Sequence, residues 1–136
     1  MHDHACNLNT IMKTISSTAG ADGVEDHRHH CPPAQLPPRE VLDTAGDLLR
    51  ALAAPVRIAI VLQLHEASCC VHELVDALAV PQPLVSQHLR ILKAAGVVAG
   101  ERAGREVYYR LVDHHLCEIV LAAVAHAGEY TKEGPR

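Results

Sequence analysis

With 136 residues and 14.7 kDa the chain has room for one domain and a tail, since single domains commonly occupy about 100 to 150 residues, and nothing suggests a second core. Three Tyr are the only aromatic residues, so Leu, Val, Ile and Ala must fill that core, a composition that suits packed helices and gains from dimerisation. The formal net charge of -4 excludes nucleic-acid binding driven by overall basicity, an odd count of five Cys argues against a disulfide framework, and no apolar run nears the roughly 20 residues of a membrane span.

The absence of a basic segment followed by a hydrophobic one at the N-terminus fits a cytoplasmic protein with no membrane partner. Residues 1–38 carry His2, His4, Cys6, His27, His29, His30 and Cys31, while Gly20, Gly23, Pro32-Pro33 and Pro37-Pro38 interrupt any regular pattern. They read as a flexible His/Cys-rich arm with room for a short helix around residues 8–15. Such an arm either binds divalent metals or carries histidines with no specific task. A domain is expected over 39–131, and 132–136 form a polar C-terminal end.

The first helix is expected from Arg39 to Ala53, with Val41, Leu42, Ala45, Leu48, Leu49 and Leu52 on a broad apolar face suited to a dimer interface. Pro55 fits the first turn of the next helix, Val56 to His65, where Ile58, Ile60, Val61, Leu62 and Leu64 are apolar almost all round and therefore central. Arg57 on it either reaches a phosphate or sits solvated or ion-paired. A short helix follows at Val71 to Leu78. Before it stand Cys69 and Cys70, vicinal residues that cannot easily pair with one another and so count as thiols.

After the turn Ala79-Val80-Pro81, Val85, Leu89 and Leu92 recur at helical spacing and mark a buried side, leaving Ser86, Gln87, Arg90 and Lys93 on a polar, basic one. His88 is either buried beside Leu89 or turned outward. A period of two takes over after Gly96, where Val97, Val98, Val107, Tyr108 and Tyr109 favour strand and Ala103-Gly104 supplies a turn between Arg102 and Arg105. Between Gln82 and Arg110, Arg90, Lys93, Arg102, Arg105 and Arg110 stand against Glu101 and Glu106, a local +3. The last helix, Asp113 to about Tyr130, has Leu116, Ile119, Val120, Ala123, Val124 and Ala127 as its apolar stripe, interleaved with Asp113, His115, His126 and Glu129.

A helix passing directly into a hairpin reads as a winged helix-turn-helix: a mainly α fold with a small β-hairpin wing. The stretch LVSQHLRILKAAGVVAGERAGREVYYRL, residues 84–111, resembles the recognition helix and wing of the ArsR/SmtB family of metal-responsive bacterial repressors. ALAAPVRIAIVLQL, residues 51–64, resembles the segment that precedes its helix-turn-helix, so the likeness spans roughly residues 40–130. It implies a homodimer that binds double-stranded operator DNA of two-fold symmetry and lets go when metal binds at the dimer interface. It implies neither an enzyme nor a protein with a small-molecule substrate. Relatives usually open the recognition helix with Ser or Thr; here Pro81 and Pro83 take those places, which shifts base reading to Gln82, Ser86, Gln87 and Arg90. Arg102 and Arg105 would hold phosphates or a minor groove.

Asp113, His115, His126 and Glu129 are similar to the D-x-H...H-x-x-E pattern of the family's zinc site in its C-terminal helix. His115 and His126 lie eleven residues apart, or roughly 16 Å along a helix, too far for one ion. Two antiparallel copies of the helix would bring Asp113 and His115 of one against His126 and Glu129 of the other. The two sites that result suit tetrahedral zinc, with cobalt as a substitute in vitro. CVHEL, residues 70–74, is similar to the segment from which the family's thiol-loving site takes ligands. By that likeness Cys70 and Glu73 would bind metal with His27 or Cys31 of the arm, and His72 stands where some relatives have a second Cys. Other readings are a thiol-based sensor of cadmium, lead, arsenite or redox state using Cys69 and Cys70, and a metal buffer using the arm. A zinc hydrolase built on His126 and Glu129 lacks both a general base and the H-E-x-x-H arrangement.

Overall fold

The computed structural model describes residues 30–133, with side chains as far as residue 131. The expected short helix near residues 8–15, and His2, His4, Cys6, His27 and His29, lie outside the described residues. The chain divides into two units, Met1–Leu42 and Asp43–Arg136, with the boundary inside the first helix. The described elements run α1 (Arg39–Leu52), α2 (Pro55–Glu66), α3 (Val71–Leu78), α4 (Gln82–Ala94), β1 (Val98–Ala103), β2 (Glu106–Leu111) and α5 (His114–Glu133).

Helix α2 is the hub of the second unit. Pro55 starts it after an extended Ala54, a place where the missing amide hydrogen costs nothing, and Ile60, Val61 and Leu64 are buried along it. A helix apolar on all sides has to be surrounded, and α3, α4, α5 and β2 all pack against it. The core they close contains Leu74 of α3, Val85, Leu89 and Leu92 of α4, Val97 and Val98 at the root of the wing, and Leu116 and Val120 of α5. Each such side chain contributes on the order of 1.5 to 3 kcal/mol by leaving water.

Two turns fix the angle between these helices. Helix α3 stops at Ala79, whose φ of 56° places a residue with a Cβ in the left-handed region while its amide bonds Val75 O at 2.9 Å. Helix α4 ends in a Schellman arrangement: Gly96, at φ 77°, donates to Lys93 O at 3.0 Å and Val97 donates to Leu92 O at 2.9 Å. That closure drops Val97 and Val98 into the core and launches β1.

The wing is a two-stranded antiparallel hairpin with Ala103 opposite Glu106 and Val98 opposite Leu111. Its two-residue turn is Gly104-Arg105, one residue later than the sequence pattern suggested, because Gly104 supplies the positive φ of 68° at the first turn position. The hairpin gains a partner on its other edge, since Cys69 forms an isolated antiparallel bridge with Tyr109, closed by bonds of 3.1 and 2.8 Å. Cys69, Cys70 and Cys117 are all buried as free thiols. Burial pushes the Cys69 and Cys117 thiols up from their ordinary range.

Candidate functional site

The exposed side of α4 is polar because its apolar residues are spent on the core. Val85, Leu89 and Leu92 face inward, while Gln82, Gln87, Arg90 and Lys93 are exposed and Ser86 is half-buried. The amides of Leu84 and Val85 both reach back to Pro81 O, at 3.0 and 3.1 Å, so the helix is anchored by main chain with no side-chain cap. Arg102 stands exposed near the end of β1 and Arg105 in the turn. At Gly100 an added Cβ would meet Val107 at 3.0 Å and Tyr109 at 3.2 Å, so the two strands close tightly beneath these arginines.

Arg57 and His88, each open to two readings from sequence, pair with one another. Arg57 Nε donates to His88 Nδ1 at 3.1 Å, and its Nη1 donates to Ala51 O at 3.0 Å. One guanidinium thereby ties the end of α1 to α2 and α4 and takes His88 as its acceptor. No sequence spacing could pair residues thirty-one apart on different helices.

Asp113 caps α5, its Oδ1 accepting the His115 amide at 2.9 Å and lying 3.4 Å from His115 Nδ1. The D-x-H spacing is thus a cap that also sets a carboxylate beside an imidazole, with both side chains about half exposed. His126 and Glu129 lie further along α5, also exposed. The expected apolar stripe divides in two. Leu116, Cys117 and Val120 are buried, whereas from Leu121 to Thr131 every residue is exposed, including Leu121 at 42%, Val124 at 39% and Tyr130 at 51%. Leu49 on α1 is likewise exposed, at 55%.

Around the start of α3, Glu73 Oε1 accepts the Cys70 amide at 3.0 Å, as a residue at the third helical position does in a capping box. One further ligand-type group nearby, Glu106, comes from the wing. The thiol of Cys70, a ring nitrogen of His72 and a carboxylate oxygen of Glu106 lie within 4.8 Å of one another, with His72 Nδ1 3.8 Å from Glu106 Oε1. Glu73 first, with Cys70, burial and Glu106 after it, raises the Tyr108 phenol above the ordinary range. Cys31 is exposed in the first unit, and His27 lies outside the described residues.

A family model of bacterial regulatory proteins, arsR family, matches residues 54–99, from the start of α2 into β1. The chain is 74% identical over 118 residues to the HTH-type transcriptional repressor SmtB of Mycobacterium tuberculosis, covering 81% of this chain and 87% of that protein. It is 36% identical to the HTH-type transcriptional regulator NmtR of the same organism, over 77% of this chain and 85% of that one. Among solved structures, the transcriptional repressor BigR from Xylella fastidiosa superposes with a TM-score of 0.58 at 28% identity, covering 72% of this chain and 94% of its own. A homodimeric winged helix-turn-helix DNA-binding domain from Mycobacterium bovis superposes with a TM-score of 0.63 over 72% of this chain and 91% of its own; at 23% identity this likeness speaks for the fold alone.

Proposed function

The chain belongs to the arsR family of bacterial regulatory proteins, and from that premise we propose that it is a homodimeric transcriptional repressor that holds a two-fold operator and releases it when zinc binds between the subunits. The family is one of transcription regulators, not of enzymes. The observation that carries the zinc reading is the arrangement of α5. Asp113 and His115 meet at its start, while His126 and Glu129 stand beside exposed Leu121, Val124 and Tyr130 on a segment that its own subunit leaves uncovered.

An uncovered helical segment that carries both apolar and ligand residues is what a second copy would cover. With the two α5 helices antiparallel, Asp113 and His115 of one subunit meet His126 and Glu129 of the other. Two imidazoles and two carboxylates then form a set suited to zinc, or to cobalt in vitro. Gln82, Ser86, Gln87 and Arg90 would enter a major groove on each half-site, with Arg102 and Arg105 on phosphates or an adjacent minor groove. Zinc and DNA then oppose one another if the zinc-bound dimer misplaces the two α4 helices, with a coupling of about 1 to 3 kcal/mol.

The test is a zinc titration of the operator complex at fixed salt. The His115→Ala and His126→Ala variants should still dimerise and bind operator yet remain bound as zinc is added. Release at an unchanged zinc concentration in both would defeat the proposal and move sensing to Cys70 and the arm. A redox or arsenite sensor using Cys69 and Cys70 has less support, because Cys69 is 6% exposed and burial pushes its thiol up, away from the thiolate form that reacts.

A further inference from the structure

We propose that His88 donates a hydrogen bond from its imidazole Nε2 to a backbone phosphate of the duplex, and that Arg57 is the positioning residue that fixes which ring nitrogen carries the hydrogen. The inference rests on the DNA-binding reading above. To Gln82, Ser86, Gln87 and Arg90 it adds a group on another side of α4.

The chemistry of the pair leaves one arrangement. A guanidinium has five N–H donors and no acceptor, so the His88 Nδ1 that Arg57 Nε meets at 3.1 Å must offer a lone pair. An imidazole that accepts at Nδ1 carries its hydrogen on Nε2. The guanidinium is itself held, because its Nη1 donates to Ala51 O at 3.0 Å and Ala51 is 6% exposed at the end of α1.

The Nε2–H then needs a partner of its own. Among the described residues, Arg57 is the one hydrogen-bond partner of His88. No buried side-chain nitrogen or oxygen there lacks a partner, so Nε2, which has none, is open to solvent. Successive residues of a helix stand about 100° apart, which sets His88 between outward Gln87 and buried Leu89. It is a half-buried flank residue beside the first turn of α2. When a recognition helix lies in the major groove, its flanks meet walls lined with phosphate oxygens, which accept hydrogen bonds and donate none.

The experiment uses the full chain and a duplex that it selects from a random-sequence pool. At pH 8, His88→Phe keeps a ring and removes the donor, and should lower affinity about threefold to tenfold, the worth of one or two hydrogen bonds. The slope of log affinity against log salt should stay at the parent's value, since a neutral donor displaces no counterion. His88→Gln, whose amide can accept from Arg57 and donate outward, should recover most of the loss. Methylphosphonate placed at each phosphate in turn should mark at least one position where the parent loses more than His88→Phe does. Nitrogen-15 spectra, with His88 assigned from its absence in His88→Phe, should show the Nε2–H form in the parent. Arg57→Ala should give a mixture with the Nδ1–H form, and Arg57→Lys should restore the Nε2–H form. A chain that selects no duplex would defeat the repressor reading and this inference with it. Given a selected duplex, the inference alone is overturned by parent-like affinity in His88→Phe, by a salt slope lower by about one, by no distinguishing phosphate, or by a parent ring with its hydrogen on Nδ1.

Discussion

Helices α4 and α5 both bury one side against α2, yet they present opposite chemistry to the outside. On α4 the exposed residues are Gln82, Gln87, Arg90 and Lys93, and on the later part of α5 they include Leu121, Val124 and Tyr130 beside His126 and Glu129. A polar, basic helix face is at rest in water and ready for a polyanion. A helical segment whose apolar side chains stand in water is at rest only when covered. Under the proposed function the same core would support one surface for nucleic acid and another for a second subunit and metal.

The sharpest way to break this contrast is to truncate one residue of each kind. Leu89→Ala, inside α4, should cost about 2 to 5 kcal/mol of subunit stability in denaturant unfolding, because it leaves a cavity in a well-packed core. Val124→Ala on α5 should leave the fold nearly intact and instead weaken self-association, measured by sedimentation over a range of concentrations. A loss of stability as large as that of Leu89→Ala, with association unchanged, would remove the interface role from α5.

A smaller effect sharpens the other face. Arg105→Ala should weaken binding to operator and random DNA alike and lower the slope of log affinity against log salt by about one, as one lost phosphate contact does. Gln87→Ala should reduce the preference for operator over random sequence, by about 1 to 3 kcal/mol if it reads a base through two bonds. Equal losses on both DNAs would take Gln87 out of base recognition.

The smallest effects concern the turns that aim α4. Gly96→Ala should destabilise by about 1 kcal/mol, since φ is 77° there, and Ala79→Gly should stabilise by up to about 1 kcal/mol for the same reason at φ 56°. Thermal unfolding reads both. Opposite signs at two neighbouring turns would show that backbone strain sits before α4 and not after it.

Much of this architecture is local and therefore legible in the sequence. The bounds of α3 and the inward set Val85, Leu89 and Leu92 follow from spacing alone, and the other helix ends moved by one to a few residues, within ordinary fraying of cap and last turn. The apolar stripe of α5 was also legible, but spacing cannot say which part of a stripe its own subunit covers. Contacts set by tertiary register were out of reach. Arg57 finds His88 across two helices, Cys69 pairs with Tyr109, and Glu106 lies near Cys70 and His72. Glu73 carries the spacing of a cap as well as that of a ligand, and in the fold one of its oxygens serves the backbone.

The prolines at the start of α4 bear on how such a helix would meet a duplex. A helix that opens on several unengaged N–H groups can cradle a phosphate with its main chain, whatever its side chains are. Here Pro81 and Pro83 have no hydrogen to offer, and the Leu84 and Val85 amides turn back to Pro81 O. The backbone grip that any sequence could supply is thereby much reduced at this end. In the proposed complex docking depth would then depend on Gln82 and on the arginines of the wing, so exchanging Pro83 for a residue with an amide hydrogen should tighten contact with every sequence and blunt discrimination between them.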